Sequence, residues 1–379
     1  MRVLLDAFPL LAPKSGVGYY ALNLVKALAQ EFSEDEYVYF YGRRFSREIL
    51  EAAPSFDAGL RTFLKKSFKK PYRLTQPVKE LFFRLGAPFC KADVYHELNY
   101  VPLPYKGPQV ATVFDMSLKR YPMTHPADRR AYFESYFPKR LKNADHFITI
   151  SDFSKRELSE LYGVPLEKIT TVYLGGLSQG DPSPEEVAAF RKEKNLPERY
   201  FLYCGNLEPR KNLPLLIAAY SLALKKEPLL PPLVLVGSPS WLSEDIFSAI
   251  RKESLGEKVL VTGYVPYGDL PLYYAGATAF FFPSLYEGFG LPVLEAMEKG
   301  LPVAASDCSS IPEVLGDAGL LIPPEDAGGW AEALLRLSGD EILRRELSKK
   351  SLERAKLFSW QRAARETRAV YEKTLSLYF

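Results

Sequence analysis

The chain has 379 residues, of which 47% are hydrophobic and 25% are charged, and its net charge is only +3. This composition is ordinary for a globular protein, and the length is sufficient for two domains that each bury a sizeable core. No apolar run approaches the roughly 20 residues that a membrane-spanning helix needs, so we expect no such helix in this sequence.

The two halves of the chain differ in charge. Residues 1–178 hold 26 Lys and Arg against 19 Asp and Glu, a formal charge of +7, whereas the remainder holds 23 against 27, a formal charge of −4. The basic half favours an anionic partner, although a solvated surface would explain it as well. The three cysteines are far apart and offer neither a disulfide framework nor a metal-ligand spacing. We therefore expect a cytoplasmic protein that uses no metal and no cofactor.

The N-terminal segment predicts the start of a parallel α/β domain. Residues 1–12 are apolar but are interrupted by Asp6 and a proline, which predicts a buried strand over residues 2–6 rather than a signal peptide. A glycine-rich turn with Gly16 and Gly18 then leads into a helical pattern. Such a turn also opens dinucleotide-binding domains, but the third glycine of that motif is missing. A nucleotide-dependent oxidoreductase is therefore the alternative from another class.

Basic and aromatic residues are mixed in the segment 61–84. Eight Lys and Arg side chains stand against one acid, Glu80, with aromatic and leucine side chains between them. This mixture suits an anionic membrane surface, and nucleic acid would also accept it. An amphipathic helix with a buried aromatic face is the structural alternative.

Asp115 is the candidate site residue of the first half. Strands are predicted over residues 93–96 and 109–114, and Asp115 ends the second of them. Its structural alternative is a cap for the following helix. We assign no catalytic role to His96 or His125. A capped helix start at residues 151–158 and a last strand at 169–173 precede a Gly- and Pro-rich linker.

The second half of the chain predicts a second doubly wound parallel sheet. Two stretches of this half contain the candidate ligand-binding residues. The first, residues 205–212, follows an apolar strand, and its adjacent Arg210 and Lys211 suit a diphosphate. The second, residues 287–295, follows the apolar run 279–283 and opens a helix. Its backbone N–H groups form a natural anion site at that helix start, from Gly288, Phe289, Gly290 and Leu291.

Two carboxylates flank the second stretch. Glu287 lies in the strand-to-helix loop and Glu295 lies about one turn into the helix, so they cannot share one helix face. We therefore expect them to touch two parts of one extended ligand. The structural alternative is that Glu295 only opposes the helix dipole and Gly288 only makes a turn.

Together these stretches resemble the retaining glycosyltransferases of family 4, and the resemblance covers nearly the whole chain. Glu287 and Glu295, with seven residues between them, match the family's main signature, and Gly205, Arg210 and Lys211 match its phosphate-binding element. The resemblance implies the GT-B fold, in which two Rossmann-like doubly wound parallel-sheet domains face each other across a cleft and the C-terminal helix crosses back to the first. The expected domains are 1–177 with 360–379, on the acceptor side, and 178–359, which binds the nucleotide sugar.

The resemblance also implies a reaction, the transfer of a sugar from a nucleoside-diphosphate sugar to an acceptor hydroxyl with retention. The acceptor would be a saccharide or a lipid-linked saccharide. Residues 115–117 and 309–321 look most like enzymes of bacterial surface polysaccharide assembly, such as that of lipopolysaccharide. This favours GDP-mannose as donor, with UDP-glucose or another UDP-sugar as the alternative. Many relatives use lipid-linked acceptors, which favours a membrane partner for segment 61–84, a location on the inner face of the cell membrane, and no nucleic acid.

Family roles carry over to individual residues. Arg210 and Lys211 would offset the charge of the departing diphosphate, Glu287 would orient hydroxyls of the donor sugar, and Glu295 would accept from the ribose.

Three further positions complete the expected site. Gly16 and Val17 would let the backbone approach the donor phosphate, and the backbone near Val265 would contact the base. Asp115 would bind or activate the acceptor hydroxyl. The family commonly has a histidine before this aspartate, where the chain has Phe114. A catalytically idle partner that only binds nucleotide sugar is therefore a further alternative.

Overall fold

The computed structural model describes residues 1–11, 16–50, 71–177, 180–240 and 242–378. The chain divides into two compact units, which we call unit 1 (Met1–Gly175 with Ser359–Phe379) and unit 2 (Gly176–Phe358). The division falls in the glycine pair that begins the predicted linker. Residues 61–70, which hold five of the eight basic residues of the segment 61–84, lie outside the described residues.

Unit 1 contains a sheet of seven strands among its described residues. They are β1 (Arg2–Asp6), β2 (Glu36–Phe40), β3 (Phe45–Ser46), β4 (Val94–Glu97), β5 (Gln109–Val113), β6 (His146–Thr149) and β7 (Ile169–Thr171). Their order is β3-β2-β1-β4-β5-β6-β7, and all neighbours are parallel except β2 and β3. The helices are α1 (Gly16–Glu31), α2 (Pro71–Cys90), α3 (Ser117–Arg120), α4 (Ala127–Arg140), α5 (Asp152–Tyr162) and, from the C-terminus, α14 (Trp360–Leu375).

The core of unit 1 explains why its central strands are apolar on both faces. Helices cover a parallel sheet on both sides, so residues pointing either way are buried. Leu4 of β1 packs in one cluster with Phe40 of β2, Phe83 of α2 and Tyr95 of β4. Gly16 is already the first residue of α1, so it does not lie in a turn before the helix as the sequence predicted.

The C-terminal helix belongs to unit 1, as predicted. Arg368 of α14 donates to Asp35 over 2.8 Å, and Tyr371 forms a 2.7 Å hydrogen bond to Nδ1 of His96 on β4. Burial lowers the pKa of His96 to about 3, so its ring is neutral. His96 therefore ties the helix to the sheet.

Unit 2 contains a sheet of six strands among its described residues. They are β8 (Phe201–Cys204), β9 (Leu233–Val236), β10 (Val259–Gly263), β11 (Ala279–Phe282), β12 (Val303–Ser306) and β13 (Gly319–Ile322). The helices are α6 (Pro184–Glu193), α7 (Leu213–Lys226), α8 (Glu244–Lys252), α9 (Leu270–Gly276), α10 (Leu291–Glu298), α11 (Ile311–Leu315), α12 (Ala327–Gly339) and α13 (Glu341–Ala355). All neighbouring strands are parallel, in the order β10-β9-β8-β11-β12-β13.

The order of strands in unit 2 fixes where a ligand can bind. From β8 the chain adds strands on one side, through β9 to β10, and from β11 it adds them on the other side. The direction of winding therefore reverses between β8 and β11, and the crevice beyond their carboxyl ends is the usual ligand site of such sheets. None of the described helices is long and apolar enough to cross a bilayer.

Candidate active site

The loop that follows β8 presents two cations. Gly205 adopts a φ of +147°, which favours glycine, and the chain then enters a short 3₁₀ turn over Pro209–Lys211. Asn212, in the left-handed conformation, ends that turn and starts α7. This turn places Arg210 and Lys211 at the carboxyl end of β8, where the sequence predicted them.

The loop that follows β11 brings Glu287 against both cations. Nζ of Lys211 donates to Oε1 of Glu287 over 2.6 Å, and Nη1 of Arg210 lies 3.1 Å from Oε2. Arg210 also donates from Nη2 to Glu208 over 2.7 Å and from Nη1 to the carbonyl of Tyr286. Two cations and two carboxylates therefore form one cluster, the cation cluster, whose formal charges sum to zero.

The cation cluster is nearly dry. Side chains of Arg210, Lys211 and Glu287 are exposed by 11%, 10% and 9%. Burial by itself raises the pKa of a carboxyl group, but the charges of Arg210 and Lys211 outweigh it and lower the pKa of Glu287 to about 2. The ammonium of Lys211 also lies 5.1 Å from the ring centre of Phe282, the last residue of β11.

Hydrogen bonds from the next loop hold the backbone of Glu287. Its N–H donates to Oγ of Ser309 over 2.9 Å, and the hydroxyl of Ser310 donates to its carbonyl over 3.0 Å. Both serines precede α11. The carboxylate is therefore held from its backbone as well as by the two cations.

Glu295 occupies a separate position, inside α10. Its carboxylate accepts a 2.7 Å hydrogen bond from the hydroxyl of Tyr274, and it is almost fully buried. Burial raises the pKa of Glu295 to about 7, the hydrogen bond from Tyr274 opposes that rise, and the charge of Glu298 adds to it. Glu287 and Glu295 thus differ in protonation at neutral pH, since Glu287 is ionised and Glu295 is partly protonated.

Gly290 shapes the start of α10. It adopts a φ of +101°, and a Cβ atom on it would lie 2.6 Å from Cδ1 of Ile311. The helix begins at Leu291, directly after Gly290. Gly288 and Phe289 lie in the loop that connects Glu287 to this start.

In unit 1, Asp115 is the centre of a small hydrogen-bond network. Its Oδ1 accepts from the hydroxyl of Tyr100 over 3.0 Å and from the N–H and hydroxyl of Ser117 over 2.9 and 2.7 Å. Because the hydroxyl of Ser117 donates to the carboxylate, it must accept from Nε2 of His125, 3.0 Å away. His125 therefore holds Asp115 indirectly. The aspartate follows the end of β5 by two residues.

Phe114 fills the position at which the family commonly has a histidine. It is buried, with edge-to-face contacts to Tyr20 at 4.9 Å and Tyr100 at 5.5 Å between ring centres. The side chain therefore packs in the core of unit 1, and its carbonyl accepts from the hydroxyl of Ser154 over 2.8 Å.

The remaining predicted residues lie on other elements than those that form the cation cluster. Gly16 and Val17 begin α1 in unit 1, and a Cβ atom on Gly16 would meet no described atom within 4 Å. Val265 follows β10, two strands away from β8 in the sheet. Within the described ranges, no group of three His, Cys, Asp or Glu side chains is placed to hold a metal ion.

Several partners of the site were missed by the sequence interpretation. Glu208 was overlooked because a glutamate in a turn carries no signal beyond its charge. Tyr274 and His125 lie on other elements than the carboxylates they hold. Only the folded chain reveals these contacts.

Comparisons with known proteins agree with this architecture. A family model described as Glycosyltransferase Family 4 matches residues 14–175, and one described as Glycosyl transferases group 1 matches residues 185–354. The O-antigen chain mannosyltransferase B of Escherichia coli is 34% identical over 383 residues, which cover 98% of this chain and 100% of that protein. The O-antigen chain mannosyltransferase RfbU of Salmonella typhimurium is 28% identical over 61% of each chain.

Among solved structures, a sucrose-phosphate synthase from Thermosynechococcus elongatus matches the fold with a TM-score of 0.76, at 22% identity over 100% of both chains. The lipopolysaccharide glycosyltransferase WaaG matches with a TM-score of 0.70, at 13% identity over 98% of this chain and 99% of that one. The full-length relative and the two parallel-sheet units lead to one conclusion: the chain belongs to glycosyltransferase family 4 and has the GT-B fold.

Proposed function

We propose that this protein transfers a mannosyl residue from GDP-mannose to a hydroxyl of a saccharide or lipid-linked acceptor, with retention, during assembly of a bacterial surface polysaccharide. The observation that carries the proposal is the position of Arg210, Lys211 and Glu287, at the ends of the two strands where the winding of unit 2 reverses. A diphosphate and the sugar attached to it need these groups side by side.

The chemistry follows from charge. The bond between the anomeric carbon and the diphosphate oxygen breaks, a bond to the acceptor oxygen forms, and the hydroxyl proton must leave. Negative charge grows on the departing diphosphate. A pair of charges 4 Å apart interacts by about 1 kcal/mol in water and by about 4 kcal/mol at an effective dielectric constant of 20. The nearly dry surroundings of Arg210 and Lys211 therefore strengthen their effect on this step.

The other residues would position the reactants. Glu287 would accept from hydroxyls of the donor sugar, and Glu295 from the ribose. The first residues of α10 would offer backbone N–H groups to the phosphate. Asp115 of unit 1 would orient the acceptor hydroxyl with its second carboxylate oxygen, because the contacts described above all engage Oδ1.

Mannose is favoured by the relatives, since two proteins matched by this chain are named O-antigen chain mannosyltransferases and one of them matches over its full length. A UDP-sugar donor is the alternative. For that reason the first experiment compares GDP-mannose with UDP-glucose as donors for the purified protein, with retention read from the configuration of the new linkage.

We also propose that the protein works in the cytoplasm, on the inner face of the cell membrane. Helix α2 supports this with an apolar stripe of Val78, Leu81, Phe82, Leu85 and Phe89, which is exposed and follows helical spacing. A cavity of about 520 Å³ in α4 and the turn after it is lined in part by the basic residues Lys139, Arg140 and Lys142. Arg140 joins the two features, since it donates to Glu80 of α2 over 2.6 Å.

Replacing Arg210 tests the active site directly. We expect Arg210→Ala to lower transfer on the order of 10²-fold or more, as removal of a positioned charge-stabilising donor does in other enzymes. Arg251→Ala is the matched control, because Arg251 is an exposed arginine of the same unit that pairs with Glu244 at the surface. If Arg210→Ala transferred sugar at the wild-type rate, Arg210 would have no role in the mechanism. A wild-type protein that binds donor without transfer or hydrolysis would instead be the idle partner.

A further inference from the structure

The cation cluster already contains an anion in the place where the proposed donor needs one. Glu287 engages Lys211 over 2.6 Å and Arg210 over 3.1 Å, while Glu208 engages Arg210 from the other side over 2.7 Å. The four formal charges cancel. An arriving diphosphate therefore meets a site without net positive charge, even though two cations are present.

We propose that Glu287 is an exchangeable counter-anion, which leaves Lys211 and Arg210 for the donor sugar when the diphosphate takes its place. The proposal rests on the proposed function and adds to it a means of discriminating the nucleotide-sugar donor from the nucleoside diphosphate product. Glu208 stays on Arg210 in both states and acts as the positioning residue for its guanidinium.

The energetic reasoning concerns what Glu287 gains after it leaves. A buried carboxylate that loses its cations must find other donors, or the loss of hydrogen bonds opposes binding. An intact nucleotide sugar supplies hydroxyl donors together with its diphosphate. A nucleoside diphosphate lacks the hydroxyls of the donor sugar, and its ribose is proposed to contact Glu295, so Glu287 is left without replacement donors. The exchange therefore weakens product binding more than donor binding, which favours product release.

Surroundings of Glu287 favour movement of the carboxylate rather than of the loop. Its backbone is fixed at both polar groups, by Ser309 over 2.9 Å and by Ser310 over 3.0 Å. The backbone of the opposite loop is fixed too, since Leu285 donates to the carbonyl of Arg210 over 2.9 Å. A change of side-chain rotamer is therefore sufficient for the exchange.

The test compares Glu287→Gln with Glu208→Gln. Both changes are nearly isosteric and remove one negative charge from Arg210, so both raise the affinity of the site for anions. Only Glu287→Gln removes the competing counter-anion, so we expect it to bind GDP about tenfold more tightly than wild type while GDP-mannose gains little. Glu208→Gln should change both affinities by a similar factor. Titration calorimetry with GDP and with GDP-mannose measures the ratio of the two affinities in each variant. UDP and UDP-glucose serve as the second pair of ligands.

Kinetics and a structure provide the second readout. Glu287→Gln should lower kcat and increase inhibition by GDP, and a wild-type complex with GDP-mannose should show Lys211 on the diphosphate and Glu287 on the sugar. An unchanged ratio of GDP to GDP-mannose affinity in a folded Glu287→Gln variant would overturn the exchange, as would a complex in which Glu287 still bridges both cations. Activity of the wild-type protein separates the proposed function from the proposed exchange. An inactive wild type refutes the proposed function. An active wild type, together with an unchanged ratio of GDP to GDP-mannose affinity in Glu287→Gln, refutes only the exchange.

Discussion

At the scale of single residues, Glu295 shows how burial converts a carboxylate into a reporter of ligand binding. Its pKa of about 7 means that much of the protein carries a proton there at pH 6.5. If the ribose hydroxyls donate to this carboxylate, the complex favours the ionised form and binding releases a proton. We expect proton release on binding of GDP-mannose at pH 6.5 and almost none at pH 9. Calorimetry in buffers of different ionisation enthalpy measures it, and Glu295→Gln should abolish it.

The same residue makes stability depend on pH in a defined direction. Unfolding returns Glu295 from a pKa of about 7 to its ordinary value of 4.5, so the folded form binds the proton more tightly. Its contribution therefore destabilises the wild type as the pH rises from 4.5 to 7, by about 3 kcal/mol at about 1.4 kcal/mol per pKa unit. Glu298 titrates in the same direction, so only the comparison with Glu295→Gln isolates Glu295. The measurement is the free energy of unfolding of wild type and of Glu295→Gln from pH 5 to pH 8. A difference between these two free energies that stays constant over this range would contradict the buried, partly protonated state.

At the scale of elements, the start of α10 depends on one glycine. Gly290→Ala would place an L-residue at a φ of +101° with its Cβ atom 2.6 Å from Ile311, which costs about 1–3 kcal/mol or shifts the helix start. We expect a lower midpoint of thermal unfolding and weaker binding of GDP. Gly256→Ala is the control, because a Cβ atom there meets no described atom within 4 Å. Equal stability of the two variants would show that the loop before α10 adapts without strain.

Elements were largely predictable because their signals are local. Apolar runs such as residues 279–283 fill both faces of a covered parallel strand, and they identify β11 without any knowledge of its neighbours. Which strands are adjacent is a long-range property that periodicity does not contain. The sequence therefore predicted that Lys211 and Glu287 serve one ligand but not that they contact each other across 76 positions. Nor could it predict that Tyr274 or His125 would hold a carboxylate, because each hydrogen bond depends on how separate elements pack.

At the scale of the whole molecule, the resemblance to a family predicted more than the residues did alone. Two doubly wound sheets, parallel except for the pairing of β2 with β3, and the return of α14 to unit 1 are confirmed. The substitution of Phe114 for a histidine was visible in the sequence, but its consequence was not. The structure shows the ring in the core and Asp115 held by Tyr100 and Ser117 instead. Asp115 is therefore oriented without that histidine, and its role with the acceptor stays a prediction.

The proposed location on the membrane makes a prediction for the whole protein. Leu85 and Phe89 of α2 are 62% and 86% exposed, so converting both to aspartate should leave the fold intact while opposing insertion into lipid. We expect wild-type protein to sediment with vesicles that contain phosphatidylglycerol, less so at high salt, and the double variant to stay in the supernatant. The matched control is Leu229→Asp, at an 87% exposed leucine of unit 2. Wild-type binding by the Leu85→Asp, Phe89→Asp protein would exclude α2 as the contact, and binding to pure phosphatidylcholine alone would exclude the basic cavity residues Lys139, Arg140 and Lys142.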